Sequence, residues 1–191
     1  MKSLAAFAIL LSCSSAMACE LSLVAPATST LKNPVQVHTS LADGALIARF
    51  AVASPSINAK KLLAPNEHPY AFDVVELFLT FSDGGFPYFE FEVSPHNQTF
   101  QVRIVSKKDR HEGVDLGLTS TAEISHSGWA AELRIPLKPL GWDSDPGKIR
   151  GNLYSVLGPS KGRSYWGAFL PKAAKPNFHQ PQYFKALSLC S

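Results

Sequence analysis

Two apolar stretches carry acidic residues in an arrangement that could do chemistry. In DVVELFLTF, residues 73–81, Glu76 interrupts a hydrophobic run. In YFEFEV, residues 88–93, Glu90 and Glu92 alternate with apolar neighbours. Side chains alternate faces along an extended chain. Val75, Leu77, Leu79 and Phe81 therefore share one face, and Val74, Glu76, Phe78 and Thr80 the other. Glu90 and Glu92 oppose Phe89, Phe91 and Val93. In the next stretch, residues 99–106, Val102 and Ile104 oppose Gln101, Arg103 and Val105, so Val102 and Ile104 are expected in the inter-sheet core and Arg103 on the face of the glutamates. A carboxylate flanked on its own face by Val74 and Phe78 needs a partner, and Arg103 is the candidate. Charged planar groups hydrogen-bond hydroxyl-rich ligands in two-pronged fashion. Flat rings stack on the apolar faces of a pyranose, and Tyr70 and Trp166 lie in or beside loops. The competing reading is a solvated outer face, which is the ordinary fate of charges such as Glu92.

Other chemistries fit less well. Two carboxylates at a fixed separation make a glycosidase, and Glu76 with Glu90 or Glu132 would supply a pair, but any sandwich offers such pairs. No Gly-x-Ser-x-Gly elbow occurs. The expectation is a protein without catalytic activity. Haem ligation by two histidines would draw on His38, His68, His96, His111, His126 or His179. Most of these fall at turns, and no Cys-x-x-Cys-His motif is present.

The termini point to a compartment. Lys2 precedes the apolar run LAAFAILL, and Ala16-Met17-Ala18 is a small-x-small cleavage pattern. Residues 1–18 are read as a signal peptide and residues 19–191 as one secreted or periplasmic domain. Eight apolar residues are too few to span a bilayer. Removing Lys2 lowers the formal charge from +3 to +2. The basic residues are scattered, which argues against a nucleic-acid partner. Cys19 and Cys190 remain, one near each end, and an oxidising compartment favours a disulfide between them. Acylation of Cys19 as a lipoprotein is the rival, but Ala-Met-Ala matches that signal poorly.

These residues must be positioned by strands. Turn signals alternate with short apolar runs throughout, and helical periodicity is scarce. Strands are expected at 35–39, 45–53, 73–81, 88–93, 99–106, 118–125, 129–135, 148–157 and 164–170. Asp43-Gly44 reads as a hairpin turn. Loops are expected at 54–69, at 107–113 and at 136–147. The natural assembly is an all-β, antiparallel β-sandwich.

In order, the chain carries Tyr70-Ala-Phe-Asp-Val-Val-Glu76-Leu-Phe-Leu, Tyr88-Phe-Glu-Phe-Glu-Val-Ser-Pro95, Trp129-Ala-Ala-Glu-Leu-Arg-Ile-Pro136, Ser164-Tyr-Trp166 and Lys175-Pro-Asn-Phe-His-Gln-Pro181. From about residue 35 to 187 this series resembles the DOMON-like domains of the family 9 carbohydrate-binding module type, in their stand-alone bacterial form. The resemblance implies a β-sandwich that holds a mono- or oligosaccharide between two aromatic rings, often with a structural calcium ion. It implies that Trp166 and Tyr70 are those rings and that Glu76 is the acidic strand residue. Arg103 would be a basic sugar contact, and Phe178-His179-x-Pro181 would pack the last loop on the sheet. The expected ligand-binding set is Tyr70, Glu76, Glu90, Arg103, Trp166 and His179. The expected partner is a carbohydrate, and a cell-envelope glycan or protein is a further candidate.

Overall fold

A computed structural model of the chain describes residues 20–23, 34–65, 67–169 and 177–190. Its strands are β1 (Glu20–Ser22), β2 (Val35–Ala42), β3 (Ala45–Val52), β4 (Val74–Thr80), β5 (Tyr88–Val93), β6 (Thr99–Ser106), β7 (Asp109–Glu112), β8 (Thr119–Ser125), β9 (Gly128–Pro136), β10 (Arg150–Leu157), β11 (Ser164–Gly167) and β12 (Lys185–Ala186). Among the described residues these form two antiparallel sheets. One runs β1-β2-β3-β9-β8. The other runs β11-β10-β4-β5-β6-β7, with β12 beside β10 along the edge that β11 also uses. The architecture is the expected antiparallel β-sandwich. No helix among the described residues is long and apolar enough to cross a membrane.

Local chemistry explains the joints. Asp43 and Gly44 both take positive φ, at 50° and 69°. That is the geometry a two-residue hairpin needs to follow strand twist, and β2 and β3 pair in register up to it. The 136–147 loop contains a 3₁₀ turn at Lys138–Leu140, closed by Gly141 at φ 96°, and ends in a second at Pro146–Lys148.

The inward faces alternate as expected in the two central strands. Val75, Leu77 and Leu79 of β4 meet Phe89, Phe91 and Val93 of β5 in the buried core between the sheets. Phe50, Trp129, Leu133 and Ile135 close it from the five-stranded sheet. A second apolar cluster occupies the outer face of the seven-stranded sheet. Phe78, Tyr88, Val102, Ile104 and Tyr154 are buried there beneath Phe184 and Phe178. The chain after residue 176 thus returns across this outer face and covers part of it.

One expected loop is a strand. Residues 107–113 hold β7, which pairs with β6. Its sequence, DRHE, is exposed along its length, so it carries no apolar alternation to announce it. The short strands β1 and β12 were also absent from the expected set. The expected signal segment 1–18 and Cys19 lie outside the described residues. Cys190 pairs in parallel with Ser40, and Glu20 stands opposite His38 of the same strand.

Candidate functional site

The outer face of the seven-stranded sheet collects the acidic residues. In β4 and β5, Glu76 is cross-strand partner to Glu92, and Phe78 to Glu90. All three carboxylates are buried, at 3%, 4% and 0% exposure for Glu76, Glu90 and Glu92. Like charges placed opposite one another on a sheet repel. Burial is the main reason that Glu76 and Glu92 hold their protons well above the usual carboxylate range. The neighbouring glutamate charges push in the same direction. Glu90 is raised by burial too, while its hydrogen bond with Glu92 and the nearby Arg110 charge act against the shift. A hydrogen bond between two carboxyl groups requires that one of them keep its proton.

Above this floor lies a cavity of about 420 Å³. Glu76, Phe78, Glu90 and Val156 form its base, and Tyr70, Tyr165 and Phe178 stand around it. The volume is in the range of small-ligand sites. A neighbouring depression of about 700 Å³ continues past Arg110, Asn177 and His179, which border both, toward Phe86, Tyr88 and Lys107.

Tyr70 sits on a 3₁₀ turn, Pro69–Ala71, and is 45% exposed. Its ring stacks on His68 at 5.0 Å between centroids. Its backbone is held from both sides. The Tyr70 N–H donates to Glu92 Oε2 at 3.0 Å. Arg163 donates to the carbonyls of Tyr70 and Ala71. The ring is therefore presented on a fixed backbone rather than on a free loop.

Asp73, fully buried, braces the same loop. It accepts from the N–H groups of Asn58 at 3.0 Å and Gly158 at 2.6 Å. Burial raises its proton affinity, while those two bonds and the Arg163 charge oppose the rise. Asp73→Ala leaves two N–H groups without their charged acceptor. We expect a loss of about 2–3 kcal/mol, read as a lower urea midpoint at unchanged slope. An unchanged midpoint would show that the loop is braced elsewhere.

The opposite wall comes from β11 and the closing segment. Tyr165 pairs with Val156 and faces the cavity, edge-on to Phe178 at 6.2 Å. Phe178 stacks on Tyr154 at 4.0 Å, nearly parallel. His179 Nδ1 lies 3.0 Å from the Tyr88 hydroxyl, and its ring leans on Phe78. Burial and the Arg110 charge lower the pKa of His179. Burial, helped by Glu90, pushes the Tyr88 hydroxyl up to about 12.

Two expected site residues lie elsewhere. Trp166 is 1% exposed and belongs to the core between the sheets, where its indole N–H donates to the Ser164 hydroxyl at 3.0 Å. It pairs with Ser155 and so shares the inward face with Val75. The ring lining the cavity from this strand is Tyr165. Arg103 is cross-strand partner to Phe89, so it projects on the face opposite the glutamates and does not reach Glu76. Conversely, Val102 and Ile104, expected in the inter-sheet core, lie on the outer face. β7 supplies the basic residue instead. Arg110 pairs with Ile104 and Glu112 with Val102, which puts both on the cavity side, bonded to each other at 2.8 Å. Sequence reasoning missed Tyr165, Arg110, Glu112 and Arg163. Two-residue alternation around Tyr165-Trp166 already says that only one of the pair can face the site. Among the described residues no three His, Cys, Asp or Glu side chains converge as metal ligands.

No protein-family model matches the chain, and no curated protein matches it. Solved structures do. A protein from Bacteroides uniformis assigned to carbohydrate binding superposes with a TM-score of 0.71 at 17% identity, over 86% of this chain and 82% of that one. A family 9 carbohydrate-binding module from Caldicellulosiruptor kristjanssonii in complex with cellotriose gives 0.61 at 18% identity, over 86% and 80%. A family 9 module from the same organism in complex with glucose gives 0.62 at 18% identity, over 90% and 86%. The chain has the β-sandwich fold that these carbohydrate-binding modules share.

Proposed function

We propose that this protein is a non-catalytic carbohydrate-binding module that holds a sugar in the cavity over Glu76 and Glu90. The observation that carries the reading is the cavity itself, in which aromatic rings surround a floor of carboxylates. Tyr70 and Tyr165 offer apolar faces for a pyranose ring, and the carboxylates accept from its hydroxyls. His179 and Asn177 border the entrance to the neighbouring depression, which leaves room for a second sugar unit. The likeness in fold to modules solved with cellotriose and glucose supports the same reading.

The setting we propose is secreted or periplasmic, with residues 1–18 removed. A Cys19–Cys190 disulfide fits the register at the chain ends, since Glu20 lies opposite His38 and Cys190 beside Ser40 on the same strand. In the loop-entropy model, closing so long a loop contributes at most roughly 5 kcal/mol.

Calorimetric titration with glucose, cellotriose and a panel of cell-wall saccharides tests the reading. Saturable binding that disappears in Tyr165→Ala is expected. Absence of binding across the panel, paired with specific capture of an envelope protein, would replace it with a partner-binding role.

A further inference from the structure

Among the described residues, the buried glutamates of the floor have no cationic partner. Buried charges are normally paired, because the desolvation they suffer is large. The described cations nearest the cavity are directed elsewhere. Arg110 is bonded to Glu112, and that pair carries no net charge, although Arg110 still acts on Glu90 through space. Arg163 gives its terminal nitrogens to the neutral carbonyls of Tyr70 and Ala71, and its charge acts on Asp73 rather than on the floor. Arg103 faces away. Among the described residues none of Glu76, Glu90 and Glu92 forms an ion pair. Buried Glu90 Oε2 and Glu92 Oε1 receive no hydrogen bond from any N–H or hydroxyl donor of the described residues. Glu90 and Glu92 stand close enough to act on each other, and a bond between them would take a proton and supply no positive charge.

We infer that the cavity takes a carbohydrate carrying a free amine, with its ammonium seated against Glu76 and Glu90 between the rings of Tyr70, Tyr165 and Phe178. This rests on the carbohydrate reading above and specifies its ligand class. An ammonium supplies what the floor lacks: one positive charge and three N–H donors. A neutral hydroxyl donates one hydrogen bond and leaves the charge unanswered. Aromatic faces around a desolvated cation add further attraction. A bare metal ion fits less well, since among the described residues the acidic side chains do not converge as metal ligands. An ammonium attached to a sugar reaches the carboxylates by hydrogen bonds and needs no such convergence.

The test compares three disaccharides that differ only at carbon 2 of each ring: cellobiose, N,N′-diacetylchitobiose and its fully deacetylated form. Each is titrated calorimetrically into the wild-type protein and into Glu90→Gln. The deacetylated dimer should bind at least about tenfold more tightly than cellobiose, a difference of about 1.4 kcal/mol. Added salt should erode that preference, because it weakens the charge contribution. In Glu90→Gln the ratio between the two should fall to within about threefold, whatever happens to absolute affinity. Equal binding of cellobiose and the amine by the wild type overturns the inference and leaves the carbohydrate reading standing. A ratio that survives in Glu90→Gln also overturns it. Failure of all three dimers, and of the wider saccharide panel, overturns the carbohydrate reading with it.

Discussion

Trp166→Ala unfolds this protein more readily, and Tyr165→Ala does not. Trp166 fills the core between the sheets at 1% exposure, so truncation leaves a cavity that neighbouring rings cannot collapse to fill. The expected loss is about 3–5 kcal/mol. Tyr165, one position earlier, faces the outer cavity and touches Phe178 edge-on. Its truncation should cost about 1 kcal/mol or less in stability. It should weaken sugar binding by at least about tenfold, in line with the loss of one stacking ring. Urea unfolding and calorimetric titration of both variants separate the two roles. If Trp166→Ala kept full stability and lost binding, the assignment of faces in β11 would be reversed.

That pair of residues shows how far the sequence could be read. Periodicity in DVVELFLTF and YFEFEV sorted the core face from the acidic face correctly, because both strands are central and their inward faces are uniformly apolar. The same rule failed beyond β5. Val102 and Ile104 are apolar, so they were expected inward, and Arg103 outward beside the glutamates. The register with β5 puts Val102 opposite Glu90 and Arg103 opposite Phe89. Apolar residues occupy the outer face there because a second apolar cluster exists, roofed by Phe178 and Phe184. A roof made by a segment some 75 residues later in the chain leaves no trace in local alternation. β7 was illegible for a simpler reason. All four of its residues are polar and exposed, and the strand is specified by pairing with β6 alone. Tyr165 and Trp166 were confusable because alternation fixes only that they face opposite ways, and tryptophan is the commoner sugar-stacking residue.

The second large effect is on pH. Glu76, Glu90 and Glu92 all have pKa values raised by folding. A carboxyl that binds its proton more tightly in the folded state contributes stability that is complete below its unfolded value, here 4.5. That stability is lost as pH rises through the folded value. The unliganded protein should therefore become less stable as pH climbs above about 4.5 through the raised folded values. Asp73, also raised from 3.8, adds to the same trend. His179 works in the opposite sense. Its folded pKa lies below 6.5, so its contribution is lost as pH falls, which trims the acid side of the profile.

Glu92→Gln removes one of the three charges and keeps an oxygen to accept from the Tyr70 N–H. Its melting temperature should exceed that of the wild type at pH 8 by roughly 3 °C or more, the shift that about 1 kcal/mol produces in a domain of this size. The difference should vanish near pH 4.5, where the wild-type carboxyls are protonated. Melting curves by circular dichroism across that range give the answer. A wild-type profile that rises with pH would mean that the three carboxylates have counter-charges in solution.

The central claim is that a sugar binds on the outer face of the seven-stranded sheet. Backbone amide NMR shifts recorded during titration with cellotriose test it most directly. The largest changes should fall on Tyr70, Glu76, Glu90 and Tyr165 and extend to His179. The contradicting result is a set of changes centred on the other sheet, at the depression of about 580 Å³ beside Gln36, Ser127 and Trp129, with the amides around Glu76 and Glu90 unmoved.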